Sequence, residues 1–536
     1  MSYPYADPRD VGGIVQGQTN RYKQSVIDPD VFSVTWEFVP GRGAFEKSQV
    51  ASISDAEKAA AGGRVHGVTI TDNPGGNPAI SSEMLGGEIA RLGIDPLVHF
   101  SCKDKNRNQL EALLHGMART PVRNLLAMTG DYTYSGFRSR AEPVFDLDAT
   151  HLLELVTDLN AGLEVPTFKG TATLAPTDFF AGAVVSPFKS TEAEVVTQYY
   201  KLAKKLRAGA QFIVTQLGYD VRKFHEVLMV MRELGFADVP VIANVYVLSR
   251  PTARLMNRNG IPGCVVTDKL VAEITEEANA SDKGKACRLE RAAKMVAMMR
   301  GMGFAGVHIG GHGLKYEDVE TILDRSDELF PTWRDLVCEF DYPQLDGWYY
   351  FERDSETGLN SDRPVDRSGH RPRSPLSYRG FRLIHNLMFE KKGILFRPMS
   401  AIARAVDGSF IEHFFGRLEQ LAKTCTNECM HCGDCALFDT AFVCPMSQCP
   451  KSQRNGPCGG SINGWCEVYP EEKKCLYVRA YNRLKHYGKE DSLEQSQVPP
   501  LDYDLRHTSS WLNFYMGRDH TAKQLGIAPP EKAGDK

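Results

Sequence analysis

Eight short apolar runs between residues 32 and 311 alternate with stretches that repeat apolar residues at i, i+3 and i+4. The runs resemble buried strands, and the stretches between them have the periodicity of amphipathic helices. Eight strand–helix units predict an α/β fold, a closed (β/α)8 TIM barrel. An open doubly wound sheet is the alternative, but no G-x-G-x-x-G follows the first run. The runs are residues 32–39, 65–72, 95–102, 122–130, 179–187, 211–218, 239–248 and 306–311.

The chain has 536 residues, too many for a single core, so two or three domains are expected. A formal net charge of -4 gives no electrostatic reason to expect nucleic acid or an anionic membrane as partner. No apolar run reaches the roughly 18 to 20 residues that span a bilayer, and the start of the sequence has no secretory pattern. These features predict a cytoplasmic protein.

The composition changes after residue 325, where Asp, Arg, Ser and Pro become frequent. We expect an irregular connector there, then two helical stretches that lead into a cysteine-rich domain. A C-terminal extension with a loose end follows. The predicted divisions are an N-terminal extension 1–29, the barrel 30–325, the connector 326–375, the cysteine-rich metal-binding domain 376–493 and the C-terminal extension 494–536.

Nine of the thirteen cysteines lie between residues 425 and 475. In a reducing compartment clustered thiols favour a metal over disulfides. The count favours one or two [4Fe-4S] iron-sulfur clusters, which use four thiolates each. The irregular gaps keep structural zinc open, bound by four cysteines or by three with His431. The candidate ligands are Cys425, Cys429, Cys432, Cys435, Cys444, Cys449, Cys458, Cys466 and Cys475.

Polar residues stand at the ends of the predicted strands, where barrel enzymes carry their chemistry. We interpret His308 and His312 at the last run as strand-end histidines with a structural role, with a phosphate or ring contact as the alternative. Any one of the other side chains could instead belong to a solvated loop. The others are Glu37, Thr71, Asp72, Asn73, His99, Asp131 and Gln216.

Five segments resemble the methylenetetrahydrofolate reductase family, in the family's order. Residues 36–40 (WEFVP) resemble its F-E-F-x-P, and residues 208–216 (AGAQFIVTQ) are very close to its A-G-A-x-x-x-x-T-Q. The remaining three are residues 68–73 (VTITDN), 99–102 (HFSC) and 127–131 (AMTGD). The region 375–480, which includes NGPCGG, looks like the cysteine-rich domain fused to, or encoded beside, some of these reductases.

The resemblance implies flavin-dependent interconversion of 5,10-methylenetetrahydrofolate and 5-methyltetrahydrofolate, in either direction. Glu37 would be the acid that protonates N10 of the folate, and we expect desolvation to raise its pKa. Asp131 would lie between the flavin and the pterin, and Gln216 would bind the pterin edge as donor and acceptor. Thr71 is a further substrate contact, with an ordinary strand threonine as the alternative.

At the positions where the family contacts the flavin, this sequence has His99, Thr129, Gly130, Asp131, Ala210 and Lys205. Lys201 and Lys204 lie at positions where the family has Asn and Arg. Because of this difference, the flavin could be either FAD or FMN. A basic helix face can hold the flavin phosphate. The alternative for the three lysines is a solvated helix face.

A missing aromatic residue bears on the electron donor. NADH-using members place an aromatic residue after the seventh strand. Residues 247–252 contain none, although Tyr246 lies directly upstream. This favours electrons that arrive through the cysteine-rich domain from a ferredoxin-like or other redox partner. The alternatives are a zinc-stabilised docking module that recruits a methyltransferase or redox partner, and a non-catalytic folate-binding subunit. A homo-oligomer remains an open expectation.

Overall fold

The computed structural model describes residues 19–529, which divide into two compact units. The first unit runs to Val365 and also contains Cys458–Asn463. The second contains Asp366–Pro457 and the chain from Gly464 onward. Most of the predicted N-terminal extension and the predicted loose C-terminal end lie outside the described residues.

The first unit is built on a closed barrel of eight parallel strands, which confirms the predicted fold. Every predicted run contains one barrel strand. Around the barrel the strands follow chain order, apart from the exposed hairpin β5–β6. The strands are β1 (Ser33–Phe38), β2 (Gly67–Ile70), β3 (Asp95–Ser101), β4 (Asn124–Met128), β5 (Glu164–Thr167), β6 (Gly170–Thr173), β7 (Phe180–Val185), β8 (Phe212–Thr215), β9 (Val241–Tyr246), β10 (Gly306–Gly310), β11 (Phe351–Arg353) and β12 (Asn360–Pro364).

Helices of the first unit pack their apolar faces on the outside of the barrel, where most of the core lies. Asn20, Asp148, Thr191 and Asp220 cap four of them by accepting backbone N–H bonds. These helices are α1 (Arg21–Ile27), α2 (Lys47–Gly62), α3 (Ser82–Ala90), α4 (Arg107–Ala118), α5 (Ala149–Ala161), α6 (Glu192–Arg207), α7 (Val221–Glu233), α8 (Arg250–Asn257), α9 (Asp268–Glu277), α10 (Lys285–Met302) and α11 (Tyr316–Leu329).

The barrel interior changes from apolar to polar along its axis. At the N-terminal end Phe180 and Phe212 stack at 4.8 Å, and Tyr22 of α1 meets both rings edge-on. Because strand residues alternate between faces, the next inward positions are Thr35, Thr69 and His308. The apolar end closes the barrel, so the polar end is the side open to chemistry.

The predicted connector is more regular than its composition suggests. Residues Phe330–Phe340 form 3-10 turns, and β11 pairs with β12 in a hairpin. Arg222 of α7 donates to the Asn360 side chain at 3.0 Å, and its guanidinium lies 3.9 Å from the centroid of the Tyr349 ring. These contacts explain why a segment rich in polar residues is ordered.

The second unit combines helices with an irregular cysteine-rich stretch. Its helices are α12 (Leu376–Met388), α13 (Phe396–Val406), α14 (Glu412–Asn427), α15 (Pro445–Gln448), α16 (Leu476–Lys485), α17 (Ser492–Gln495), α18 (Ser510–Tyr515) and α19 (His520–Gln524). Phe514 and Tyr515 form a small core with Ala403 and Val406 of α13. No helix within residues 19–529 is long and apolar enough to cross a bilayer.

Candidate active site

Glu37 and His308 face each other at the C-terminal end of neighbouring strands. Glu37 Oε2 lies 3.4 Å from His308 Nε2. The other ring nitrogen, Nδ1, lies 3.1 Å from the Thr35 hydroxyl and 3.5 Å from the Thr69 hydroxyl. The two hydroxyls therefore orient the imidazole toward the carboxylate of Glu37, so we include His308 in the candidate site.

The pKa of Glu37 is set by two opposing effects. Burial acts to raise the pKa, but the hydrogen bond and charge of His308 outweigh burial, so the pKa of Glu37 lies below its ordinary value. Desolvation acts in the expected direction, but the net shift is opposite to the rise in pKa that we expected. The sequence could not reveal His308 as a partner because it lies 271 positions away.

His99 and Thr71 bring buried polar atoms without a protein partner to the same end of the barrel. Burial lowers the pKa of His99 to about 4, so its ring is neutral at physiological pH. Among the described residues, His99 Nε2, Thr71 Oγ1 and Asn244 Oδ1 have no hydrogen-bond partner. Unsatisfied buried polar groups are costly, which fits a ligand that pairs with them.

Asp131 is fixed by its own loop and by the turn after β2. Gly130 has a φ of +87°, and a Cβ there would lie 2.9 Å from the Cβ atoms of Ser101 and Lys103. Asp131 Oδ2 accepts a hydrogen bond from the Gly75 N–H at 2.7 Å. Asp72, in contrast, is held by Ser101 and Lys105, so we assign it a structural role.

Gln216 follows β8, and the backbone orients its amide. Gln216 Oε1 accepts from the Leu217 N–H at 2.9 Å. Its Nε2 lies 3.6 Å from the position that a Cβ of Gly263 would occupy. The amide nitrogen is thus directed toward the loop after α8.

The three candidate lysines of α6 are buried, so the alternative of a solvated face is wrong. Lys205 Nζ donates to the Val184 carbonyl at 2.5 Å. Burial, followed by the charge of Lys201, lowers the pKa of Lys205 to about 7. Thr129 and Ala210 are also buried, and the Ala210 N–H donates to the Lys205 carbonyl. A buried cationic group of this kind can balance an anion.

Tyr246 ends β9 and lies beside Glu37. A Cβ at Gly310 would be 3.1 Å from both Glu37 Oε1 and Tyr246 Cδ2. An aromatic ring is therefore present at this strand end, one residue before the stretch in which we looked for it. This contact does not test the electron donor, so a ferredoxin-like or other redox partner stays a prediction.

The structure separates the nine clustered cysteines instead of gathering them. Four of them, Cys429, Cys432, Cys435 and Cys444, line one cavity of about 20 Å³ in the second unit. The Trp465–Lys474 bridge brings Cys466 and Cys475 together, and both lie within electrostatic reach of Cys449. Cys425 is exposed, and Cys458 belongs to the barrel unit.

Two basic side chains lie close to the cysteines that line this cavity. Across residues 19–529 no three cysteine, histidine or acidic side chains already converge as metal ligands. However, Lys423 Nζ lies 3.3 Å from Cys435 Sγ. The guanidinium of Arg454 is buried, and two of its nitrogens have no hydrogen-bond partner among the described residues. Burial is the main reason that the pKa of Cys432 rises to about 12, and the charge of Arg454 acts against this rise. Both cations also have carboxylate partners: Lys423 pairs with Glu419 at 3.2 Å and Arg454 with Asp434 at 3.0 Å.

Comparison with known proteins agrees with these observations. The family model for methylenetetrahydrofolate reductase matches residues 22–325. The model described as methylene-tetrahydrofolate reductase C terminal matches residues 409–504. Both parts of the predicted fusion are confirmed.

Two solved structures resemble the chain at low identity. One is an uncharacterized protein from Clostridium thermocellum that binds two copies of 5-methyl-5,6,7,8-tetrahydrofolic acid, with 14% identity, a TM-score of 0.40, and coverage of 58% of this chain and 99% of that one. The other is 2,3-dimethylmalate lyase, a member of the PEP mutase/isocitrate lyase superfamily, with 11% identity, a TM-score of 0.31, and coverage of 60% and 92%. We draw no functional conclusion from either. On the match over residues 22–325, the chain belongs to the methylenetetrahydrofolate reductase family.

Proposed function

We propose that this protein interconverts 5,10-methylenetetrahydrofolate and 5-methyltetrahydrofolate with a bound flavin. The observation that carries the proposal is the Glu37–His308 pair at the polar end of the barrel, 3.4 Å apart. An acid is needed at this place because the five-membered ring of the substrate opens only when N10 receives a proton. The same barrel end holds Asp131 and Gln216, the two other residues that the family resemblance assigns to the reaction.

Glu37 would deliver the proton, and His308 would hold its carboxyl group in place. Because the pKa of Glu37 lies below its ordinary value, its carboxyl is ionised at neutral pH in the free protein. A proton must therefore reach Glu37 before it can be passed to N10. His308 Nε2 faces the carboxylate at 3.4 Å, and the hydroxyls of Thr35 and Thr69 hold the ring in this orientation.

The buried polar atoms at the barrel end fit a flavin. The flavin would supply the hydride that reduces the opened substrate. His99 and Thr129 would hold its ring region, the Gly130–Asp131 loop would face its edge, and Ala210 would pack close to it. Lys201, Lys204 and Lys205 would balance its phosphate. Gln216 and Thr71 would bind the pterin, with the Gln216 amide as both donor and acceptor.

For the second unit we infer a metal centre held by Cys429, Cys432, Cys435 and Cys444, which line one cavity. Four thiolates suit a [4Fe-4S] cluster, which could pass electrons to the barrel. The alternative is structural zinc, with the second unit as a docking module that recruits a methyltransferase or redox partner.

An anaerobic turnover assay tests the proposed function. The purified protein, with its flavin reduced by dithionite, is mixed with 5,10-methylenetetrahydrofolate, and the products are separated by chromatography. We expect 5-methyltetrahydrofolate to form in step with reoxidation of the flavin. A flavin that stays reduced, with no methyl product, would contradict the proposal.

A further inference from the structure

Six residues from within the cysteine-rich sequence, Cys458–Asn463, belong to the same compact unit as the barrel. They are held by Lys189, which follows β7. Lys189 is 2% exposed, and its ammonium donates to the Gly459 carbonyl at 2.5 Å and to the Ser461 carbonyl at 2.6 Å. A residue 270 positions away in the sequence thus fixes this segment at the C-terminal end of the barrel.

The contacts of Lys189 make the position of the segment specific. A buried ammonium group is energetically costly unless its protons are hydrogen-bonded. The ammonium of Lys189 donates to two backbone carbonyls of the segment. Neighbouring residues add two contacts: the Ser190 hydroxyl donates to Asn463 Oδ1 at 2.7 Å, and the Ser186 hydroxyl donates to the Gly459 carbonyl at 3.4 Å. Displacing the segment would leave the Lys189 charge buried without these acceptors.

The segment lies next to the residue that we assign to the pterin. A Cβ at Gly263 would be 3.0 Å from the Gly459 carbonyl oxygen and 3.6 Å from Gln216 Nε2, so both atoms border one small space. Cys458 lies close enough to Lys205 to act on its pKa. Gly459 has a φ of +99°, and a glycine also lets a flat ring approach the backbone closely.

We propose that the Cys458–Asn463 segment forms one wall of the folate pocket, and that Lys189 is the positioning residue that holds this wall in place. The proposal rests on the proposed function. It assigns to the cysteine-rich sequence a direct part in substrate binding, separate from metal binding. Lys189 itself acts through the segment and carries out no chemistry.

Lys189→Met tests the proposal, because methionine fills similar space without the ammonium. Hydrogen–deuterium exchange of peptides that cover residues 458–463 should rise by about tenfold or more as the segment detaches. The KM for the folate should rise by about tenfold while kcat changes little, since ground-state and transition-state binding are lost together. Lys189→Arg, which keeps charge and donors, should recover part of both.

Lys223→Met is the matched control. Lys223 is an equally buried barrel lysine that donates to the Trp348 carbonyl and pairs with Glu226. Its loss should affect stability but neither the exchange at residues 458–463 nor the KM. Ser190→Ala, which removes only the Asn463 contact, replaces Lys189→Met if that variant does not fold, with a smaller rise expected in both measurements.

The two readouts separate the possible failures. Unchanged exchange at residues 458–463 in the Lys189 variants would overturn the positioning role. Raised exchange with an unchanged KM would contradict the claim that residues 458–463 form one wall of the folate pocket. If the wild-type protein turns over no folate, the proposed function is wrong, and so is the claim that the segment lines a folate pocket. The exchange measurement still decides whether Lys189 holds the segment.

Discussion

At the residue scale, the site depends on partners that lie far apart in the sequence. Glu37 carries the proposed acid chemistry, but its protonation depends on His308, and the orientation of His308 depends on Thr35 and Thr69. Motif reasoning found Glu37 because it lies in a recognisable segment. It left His308 as a strand-end residue, although strand alternation puts Glu37 and His308 on the inner face of adjacent strands.

His225 of α7 gives a residue-scale prediction about stability and pH. Burial and the charge of Arg232 lower its pKa to about 4, and its Nδ1 accepts the Asn360 N–H. Because the folded pKa is below the unfolded value, the folded state keeps the ring neutral. Stability should be full above pH 6.5, the ordinary histidine value, and fall as the pH drops from 6.5 toward 4.

The loss attributable to His225 should be on the order of 3 kcal/mol by pH 4. Urea unfolding of the wild type and of His225→Gln, followed between pH 7 and pH 4, measures it. The variant should lose less stability across this range than the wild type. Equal pH dependence in the two proteins would show that His225 does not titrate as we expect.

At the element scale, the eight strands and the order of the barrel could be predicted because periodicity is a local property. The strands of the hairpin β5–β6 were not predicted, because they are short and largely exposed. The lysines of α6 show a different limit. Their sequence is that of a charged helix face, and only the packing of other elements over α6 buries them.

The loop after β4 offers an element-scale prediction. Gly130→Ala should destabilise the protein by about 1 to 3 kcal/mol, because a side chain at positive φ is strained and its Cβ would meet Ser101 and Lys103. It should also weaken folate turnover by moving Asp131. Denaturant unfolding and steady-state kinetics measure the two effects.

Gly116→Ala is the control for this change. Gly116 lies inside α4, and a Cβ there meets nothing within 4 Å. The substitution should stabilise the helix by about 0.5 to 1 kcal/mol and leave turnover unchanged. If Gly130→Ala were as harmless as Gly116→Ala, the loop would not require a glycine.

At the scale of the whole molecule, the nine cysteines do not act as one cluster. Their number suggested one or two iron-sulfur sites, but sequence spacing does not show that Cys425 is exposed or that Cys458 belongs to the barrel unit. Those facts depend on tertiary structure. The four cysteines around one cavity are the set that we propose as metal ligands.

Metal content provides the prediction at this scale. Cys432→Ser should release the metal and destabilise the second unit, since a site formed only on folding contributes its binding free energy to folding. Cys425→Ser should retain the metal because that thiol is exposed. Elemental analysis for zinc, iron and sulfide measures the outcome. Four irons with four sulfides would support the iron-sulfur cluster, and zinc alone would support the alternative.

The most direct test of the central claim is the effect of Glu37→Gln on the two half-reactions. Stopped-flow absorbance at the flavin band follows reduction of the flavin by dithionite, and then its reoxidation by 5,10-methylenetetrahydrofolate. We expect the variant to be reduced at the wild-type rate but reoxidised about 10²- to 10⁴-fold more slowly, because general acid catalysis is lost. Reoxidation at the wild-type rate would contradict the assignment of Glu37 as the acid.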